Sequence, residues 1–90
     1  MSVELSIIIV NWNGRDLLAR CIESIVKSPP AVPYEIVVVD NASTDGSVEW
    51  LRAAQSNGLF KGAGFRLIEN TENFGFARAN NIAFRQTSSR

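Results

Sequence analysis

Ninety residues suffice for one small domain or for part of a larger one, since domains run to about 100–150 residues. Hydrophobic residues make up 46% of the chain and charged residues 20%, a folding composition and not a disordered one. Nine basic and nine acidic side chains cancel, which excludes the one-signed charge of a nucleic-acid or polybasic membrane binder. Apolar runs such as residues 7–10 are far short of the roughly 20 residues of a membrane helix. The N-terminus lacks the charged start and small-residue cleavage site of a secretory signal, so the mature chain is expected to begin near Met1 and to stay in the cytoplasm. Histidine is absent and Cys21 is the single cysteine. That removes Ser–His and Cys–His nucleophiles, an internal disulfide and cysteine-based metal clusters.

In chain order, residues 5–10 are a short β-branched run that stops at Asn11-Trp12-Asn13-Gly14. Length and branching predict a buried strand. From residue 15 to 28, Leu17, Leu18, Cys21, Ile22, Ile25 and Val26 recur in steps of one, three and four, the face of a helix. Cys21 is expected to be buried there as a small hydrophobe. Pro29, Pro30 and Pro33 end that helix. Residues 35–40 predict a second strand, and Ser43, Thr44 and Asp45 offer N-caps for a second helix. That helix carries Val48, Trp50, Leu51 and Ala54 and gives out near Asn57 and Gly58. The glycine-rich residues 58–64 read as a mobile surface loop. Residues 65–69 alternate as a third strand, 70–75 form a polar loop, and 76–86 return to helical spacing with Ala79, Ile82 and Ala83 inward. Residues 87–90 read as a terminal loop. Strand and helix alternating three times predict an α/β fold: a parallel sheet in three layers, Rossmann-like, with right-handed crossovers.

Two loops then meet at the carboxyl edge of the sheet, where open α/β sheets bind their ligands. Neither carries the Gly-x-Gly-x-x-Gly of dinucleotide sites, and a P-loop is also missing. Asp40, ending an apolar strand, is the leading candidate. A carboxylate is purely an acceptor and matches the imide N–H of uracil or thymine, whereas cytosine presents an acceptor there. The alternative is that Asp40 starts an Asx-turn and caps local backbone donors. Trp12 offers an aromatic face to a base or sugar, or covers the sheet end. Asp45 reads as a cap of the second helix. Asn41-Ala42-Ser43 matches a glycosylation acceptor, of little weight without a secretory signal. Gly75 permits close backbone approach before the third helix, whose N-terminus favours anions. Arg78, one turn in, can bond a diphosphate or a base carbonyl. Asn80 and Asn81 are poor helix-interior residues unless their side chains find partners.

Taken together, residues 6–13, 37–47 and 70–81 resemble the start of an inverting family 2 glycosyltransferase with the GT-A fold. The likeness covers essentially the whole chain. Val10-Asn11-Trp12-Asn13 and the run from Gly75 to Asn81 are similar to members that transfer rhamnose or related sugars in cell-surface polysaccharide synthesis. The resemblance implies that residues 1–90 are the truncated, incomplete βαβαβα nucleotide-binding half of the domain. Val10, Asn11, Trp12 and Asn13 would line the base and ribose, Asp40 with Asn41 would hold the base, and Gly75 with Arg78 would lie near the base or diphosphate. The donor would be a UDP- or dTDP-sugar, and the acceptor a polysaccharide or a lipid-linked molecule, met at the inner face of the membrane. The family's Asp-x-Asp motif, which holds magnesium or manganese, is absent from this sequence. No residue here is assigned as a catalytic base or a metal ligand, and the isolated chain is expected to bind no metal and to be inactive. A non-enzymatic nucleotide-binding or assembly module would use the same half-fold. A nucleotidyltransferase would instead need a Gly- and Lys-rich loop near the first strand, where only Gly14 and Arg15 stand. The open edge of the first strand is expected to give a dimer or a swapped assembly.

Overall fold

A computed structural model describes residues 3–87. Its elements are β1 (Leu5–Asn11), α1 (Arg15–Lys27), β2 (Tyr34–Asp40), α2 (Ser47–Ser56), β3 (Gly64–Glu69) and α3 (Phe76–Arg85). All three strands run parallel, in the order β1-β2-β3. The second strand is therefore central, and residues 35–40 are buried throughout. A strand covered on both faces needs apolar side chains on both, which explains the unbroken Ile36-Val37-Val38-Val39 run.

Because strand side chains alternate, this run feeds two cores. Ile36 and Val38 pack with Leu18 and Ile22 of α1, Leu51 and Ala54 of α2, and Phe60. Val37 and Val39 face the other way, against Ala79 and Ala83 of α3, with Ile8, Val10 and Ile68 alongside. The alanines let α3 approach the sheet closely. Two helices on one face and one on the other make the three-layer α/β arrangement expected from the alternation.

The structure departs from the sequence pattern in two places. Cys21 is exposed, not buried, and Leu17 keeps 72% of its surface. The apolar stripe of α1 is wider than the sheet beneath it. Leu18 and Ile22 meet β2, whereas Leu17 and Cys21 sit at the flank, where they line a cavity of about 290 Å³ with Ile9 and Trp12. The loop of residues 58–64 is also more than a surface segment. Phe60 is only 5% exposed and stacks on Phe65 with ring centroids 3.9 Å apart, so the loop is pinned to the core. The terminal loop expected at 87–90 is described only at Thr87, whose N–H bonds the Phe84 carbonyl; Met1 and residues 88–90 lie outside the described residues.

Burial decides which apolar positions on α1 matter. Ile22→Ala, at a fully buried position, is expected to lower unfolding free energy by about 2–5 kcal/mol. Leu17→Ala is expected to change it by no more than about 0.5 kcal/mol. Urea denaturation of the two variants checks this, and similar losses would refute the packing assigned to α1.

Candidate functional site

The strand register brings Asn11, Asp40 and Glu69 level with one another at the carboxyl edge. All three helices start at the same edge, after Gly14, Gly46 and Gly75. The site is built by two loops that lock together and a third that joins them.

The loop after β1 and the loop after β2 share six hydrogen bonds. The Asn41 N–H donates to the Asn11 carbonyl at 2.8 Å. Asn11 Nδ2 donates to Asp40 Oδ1 at 2.9 Å and to Ser43 Oγ at 3.2 Å. The Asn13 N–H donates to Ser43 Oγ at 2.9 Å, and Thr44 N–H returns a bond to Asn13 Oδ1 at 2.7 Å. Finally the Arg15 N–H reaches Asp45 Oδ2 at 2.9 Å. Two non-glycine residues take left-handed backbone angles here: Asn13 with φ 50° and Ala42 with φ 62°. Asparagine tolerates that region, while alanine has no side-chain bond to offset a strain of about 1–2 kcal/mol. The bend at Ala42 carries Ser43 back onto Asp40. Ser43 N–H meets Oδ2 at 2.8 Å and Ser43 Oγ donates to Oδ1 at 2.7 Å.

Asp40 is thus 1% exposed with three donors on its carboxylate. The Asx-turn alternative raised by the sequence is present in the structure. It does not consume the group, because a carboxylate has about four acceptor positions.

The loop after β3 attaches through Asn41 and Asn70. Asn70 N–H donates to the Asp40 carbonyl at 2.9 Å, and its Nδ2 donates to Asn41 Oδ1 at 2.8 Å. Asn41 Nδ2 then donates to the Gly75 carbonyl at 3.3 Å. Asn41 is 2% exposed, and its side chain joins the ends of β2 and β3 to the start of α3. Gly75 has φ 82° and ψ 167°, a combination open essentially to glycine alone. Its N–H is held by Asn73 Oδ1 at 2.8 Å.

Charge is distributed unevenly over the three helix starts. Asp16 lies in the first turn of α1 and Glu49 in that of α2. Asp45 serves both helices, accepting from Arg15 N–H and, through Oδ1, from Ser47 N–H at 3.1 Å and the Ser47 hydroxyl. These bonds, the Ser47 hydroxyl first and the Arg15 amide next, hold the Asp45 carboxyl below its ordinary range. The first turn of α3 has no acidic residue and no side-chain cap. Arg78 lies on that exposed turn, its guanidinium 4.3 Å over the Phe74 ring, and no carboxylate pairs with it among the described residues. The start of α3 is therefore the electropositive member of the three.

Of the other candidates, Trp12 is 57% exposed beside the edge, and Val10 points its side chain into the α3-side core. Asn80 is half-buried and Asn81 exposed. An open cavity of about 360 Å³ is lined by Asn13, Gly14, Arg15, Asp16, Leu17 and Asp45, close to the site but without Asp40 or Arg78. Sequence reading missed Ser43 as the hub of the two loops and Asn70 as a tie between them. The signal was the Asp-x-x-Ser spacing, which suits a local side-chain turn. Among the described residues, no three His, Cys, Asp or Glu side chains group to hold a metal ion. The edge carboxylates have other partners, Asp40 and Asp45 taking hydrogen-bond donors and Glu69 pairing with Arg52.

Comparison with known proteins agrees with this architecture. Residues 6–90 match Glycosyl transferase family 2, and the chain belongs to that family. Over 50 residues, 54% of this chain and 8% of the relative, it is 40% identical to the poly(ribitol-phosphate) beta-glucosyltransferase of Bacillus spizizenii. Among solved structures it is similar to the mannosyltransferase PcManGT from Pyrobaculum calidifontis in complex with GDP-Man and Mn²⁺, with TM-score 0.79 and 30% identity. That match covers 97% of this chain and 25% of the other. Staphylococcus aureus TarS 1-349 in complex with UDP-GlcNAc gives TM-score 0.80 at 21% identity, covering 97% of this chain and 24% of that one. The chain spans about a quarter of the length of these solved structures. No helix among the described residues is long and apolar enough to cross a membrane.

The depressed Asp45 carboxyl gives a signed pH effect. Its contribution to stability is present above the pH at which an unfolded aspartate titrates. It is lost as pH falls through the lower folded-state value. The gap in urea midpoint between wild type and Asp45→Asn is therefore expected to be largest near neutrality and to narrow as pH falls below about 3.9, where an unfolded aspartate titrates. A gap that does not narrow as pH falls would show that the charge is not what stabilises the two helix starts.

Proposed function

We propose that this chain binds the nucleotide of a pyrimidine nucleotide sugar, UDP- or dTDP-linked, in a glycosyltransferase that passes the sugar with inversion to a polysaccharide or lipid-linked acceptor. The observation that carries this reading is Asp40: a buried carboxylate at the carboxyl end of the central strand, held rigid and keeping acceptor capacity. Family membership and the UDP-sugar bound to TarS support the donor class. The likeness to a poly(ribitol-phosphate) beta-glucosyltransferase supports a polymeric acceptor. The bare, positive start of α3 with Arg78 suits a diphosphate or a base carbonyl. A guanosine nucleotide is the competing ligand, favoured by the GDP-Man in PcManGT. The ninety residues offer donor binding and no metal cluster among those described. Turnover then depends on a divalent ion to neutralise the leaving diphosphate and on a general base, both from elsewhere. Calorimetric titration is expected to show UDP and dTDP binding more tightly than GDP, with the preference lost in Asp40→Asn. Equal binding of all three by the wild type would overturn the assignment.

Assembly follows from the two sheet edges, which differ. On β3, Arg66 and Glu69 are exposed, the charged guard of a free edge. On β1, residues 5–11 carry no charge or proline, and Ile7, Ile8, Ile9 and Val10 are only half-buried. Exposed Trp12, Leu17 and Cys21 lie beside that edge around the 290 Å³ cavity. A second copy of the chain is the proposed occupant, pairing antiparallel about Ile8 or by exchange of elements, since that register opposes no like charges. Sedimentation at micromolar concentration is expected to show a dimer with slowed thiol labelling of Cys21. A monomer whose labelling is independent of concentration would refute it.

A further inference from the structure

Four acceptor positions on Asp40 can be accounted for one by one. Oδ1 takes Asn11 Nδ2 at 2.9 Å and the Ser43 hydroxyl at 2.7 Å. Oδ2 takes Ser43 N–H at 2.8 Å. One position is left, on Oδ2. The carboxylate is also unable to turn and offer more. Asn11 and Asp40 are register partners, 5% and 1% exposed. The Ser43 hydroxyl has no rotational freedom either, because it accepts from Asn11 Nδ2 at 3.2 Å and from Asn13 N–H at 2.9 Å while donating to Asp40. All of its hydrogen-bonding capacity is used.

We propose that Ser43 and Asn11 set the base selectivity of the site, by filling Oδ1 so that Asp40 accepts from a single ligand N–H. This rests on the nucleotide-binding role assigned to Asp40 above. Uracil and thymine offer one N–H between two carbonyls, which the single open position satisfies. Guanine offers a ring N–H and an adjacent amino group side by side, and needs both carboxylate oxygens. At a clamped Asp40 one guanine donor stays unpaired in a desolvated place, a loss of at least about tenfold in affinity. Asp40 supplies the acceptor, and its two neighbours, as positioning residues, decide how many donors it can serve.

Titration of UDP and GDP into wild type, Ser43→Ala, Ser43→Thr and Asp40→Asn tests this. Opening Oδ1 in Ser43→Ala is expected to narrow the UDP-over-GDP preference by about tenfold, through a gain in GDP binding. Ser43→Thr, which keeps the hydroxyl, is expected to hold the wild-type ratio. Asn11→Ala removes the other Oδ1 donor and is expected to shift the ratio the same way, so the test survives if Ser43→Ala fails to fold. A merely structural Ser43 would weaken both ligands equally and leave the ratio unchanged. That result, with the preference erased in Asp40→Asn, would overturn the clamp and leave the Asp40 assignment standing. A preference unaffected by Asp40→Asn would overturn both.

Discussion

A carboxylate that ends the buried central strand must find hydrogen-bond donors where water is excluded, and the arrangement of the whole carboxyl edge follows from that demand. Buried charge without partners is among the most unfavourable features a fold can carry. Asp40 finds its donors in Asn11 from the neighbouring strand and in Ser43 from its own turn. Each donor has a second role. Asn11 also reaches Ser43, and Ser43 also receives Asn13, so satisfying one carboxylate ties two loops into one body. The left-handed Ala42 is the local strain that this closure requires.

Strand alternation extends the same network through the sheet. Asp40 falls on the face shared by Ile36 and Val38, where α1 and α2 pack, while Asn41, one residue on, bonds to the start of α3 on the opposite face. A step of one residue therefore passes the connection from one layer to the other. Asn70 closes the circuit by bonding both the Asp40 carbonyl and the Asn41 side chain. Three helix starts are held in fixed relation by side chains that are themselves nearly all buried or shared. Asp45 supplies negative charge to two of those starts and none to the third. The electrostatic asymmetry at the edge is thus a product of loop geometry as much as of composition.

Much of this was legible in the residues. The β-branched runs, the proline stop after α1 and the caps before α2 mark the six elements to within a residue or two, because each depends on local periodicity and chain stereochemistry. Asp40 stood out because an acid directly after four apolar β-branched residues has few structural explanations. Ser43 did not stand out, since a serine before a helix reads first as an N-cap; besides Asp40 in its own turn, its partners Asn11 and Asn13 lie about thirty residues away in sequence. Phe60 was hidden for a related reason. A glycine-rich segment looks mobile, and only the turn that folds Phe60 back onto Phe65, at the start of β3, gives its ring a stacking partner.

The sequence by itself determined the alternation of strand and helix, the parallel sheet, the family and the place of the candidate carboxylate, because these rest on periodicities and motifs within short stretches. Tertiary structure decided which apolar positions are core, leaving Leu17 and Cys21 of one helical stripe exposed because the sheet beneath is narrower than the stripe. It also decided how many acceptor positions Asp40 retains. Such a number depends on Asn11 from the neighbouring strand as well as on Ser43 from the turn after β2, and no local pattern encodes the approach of Asn11.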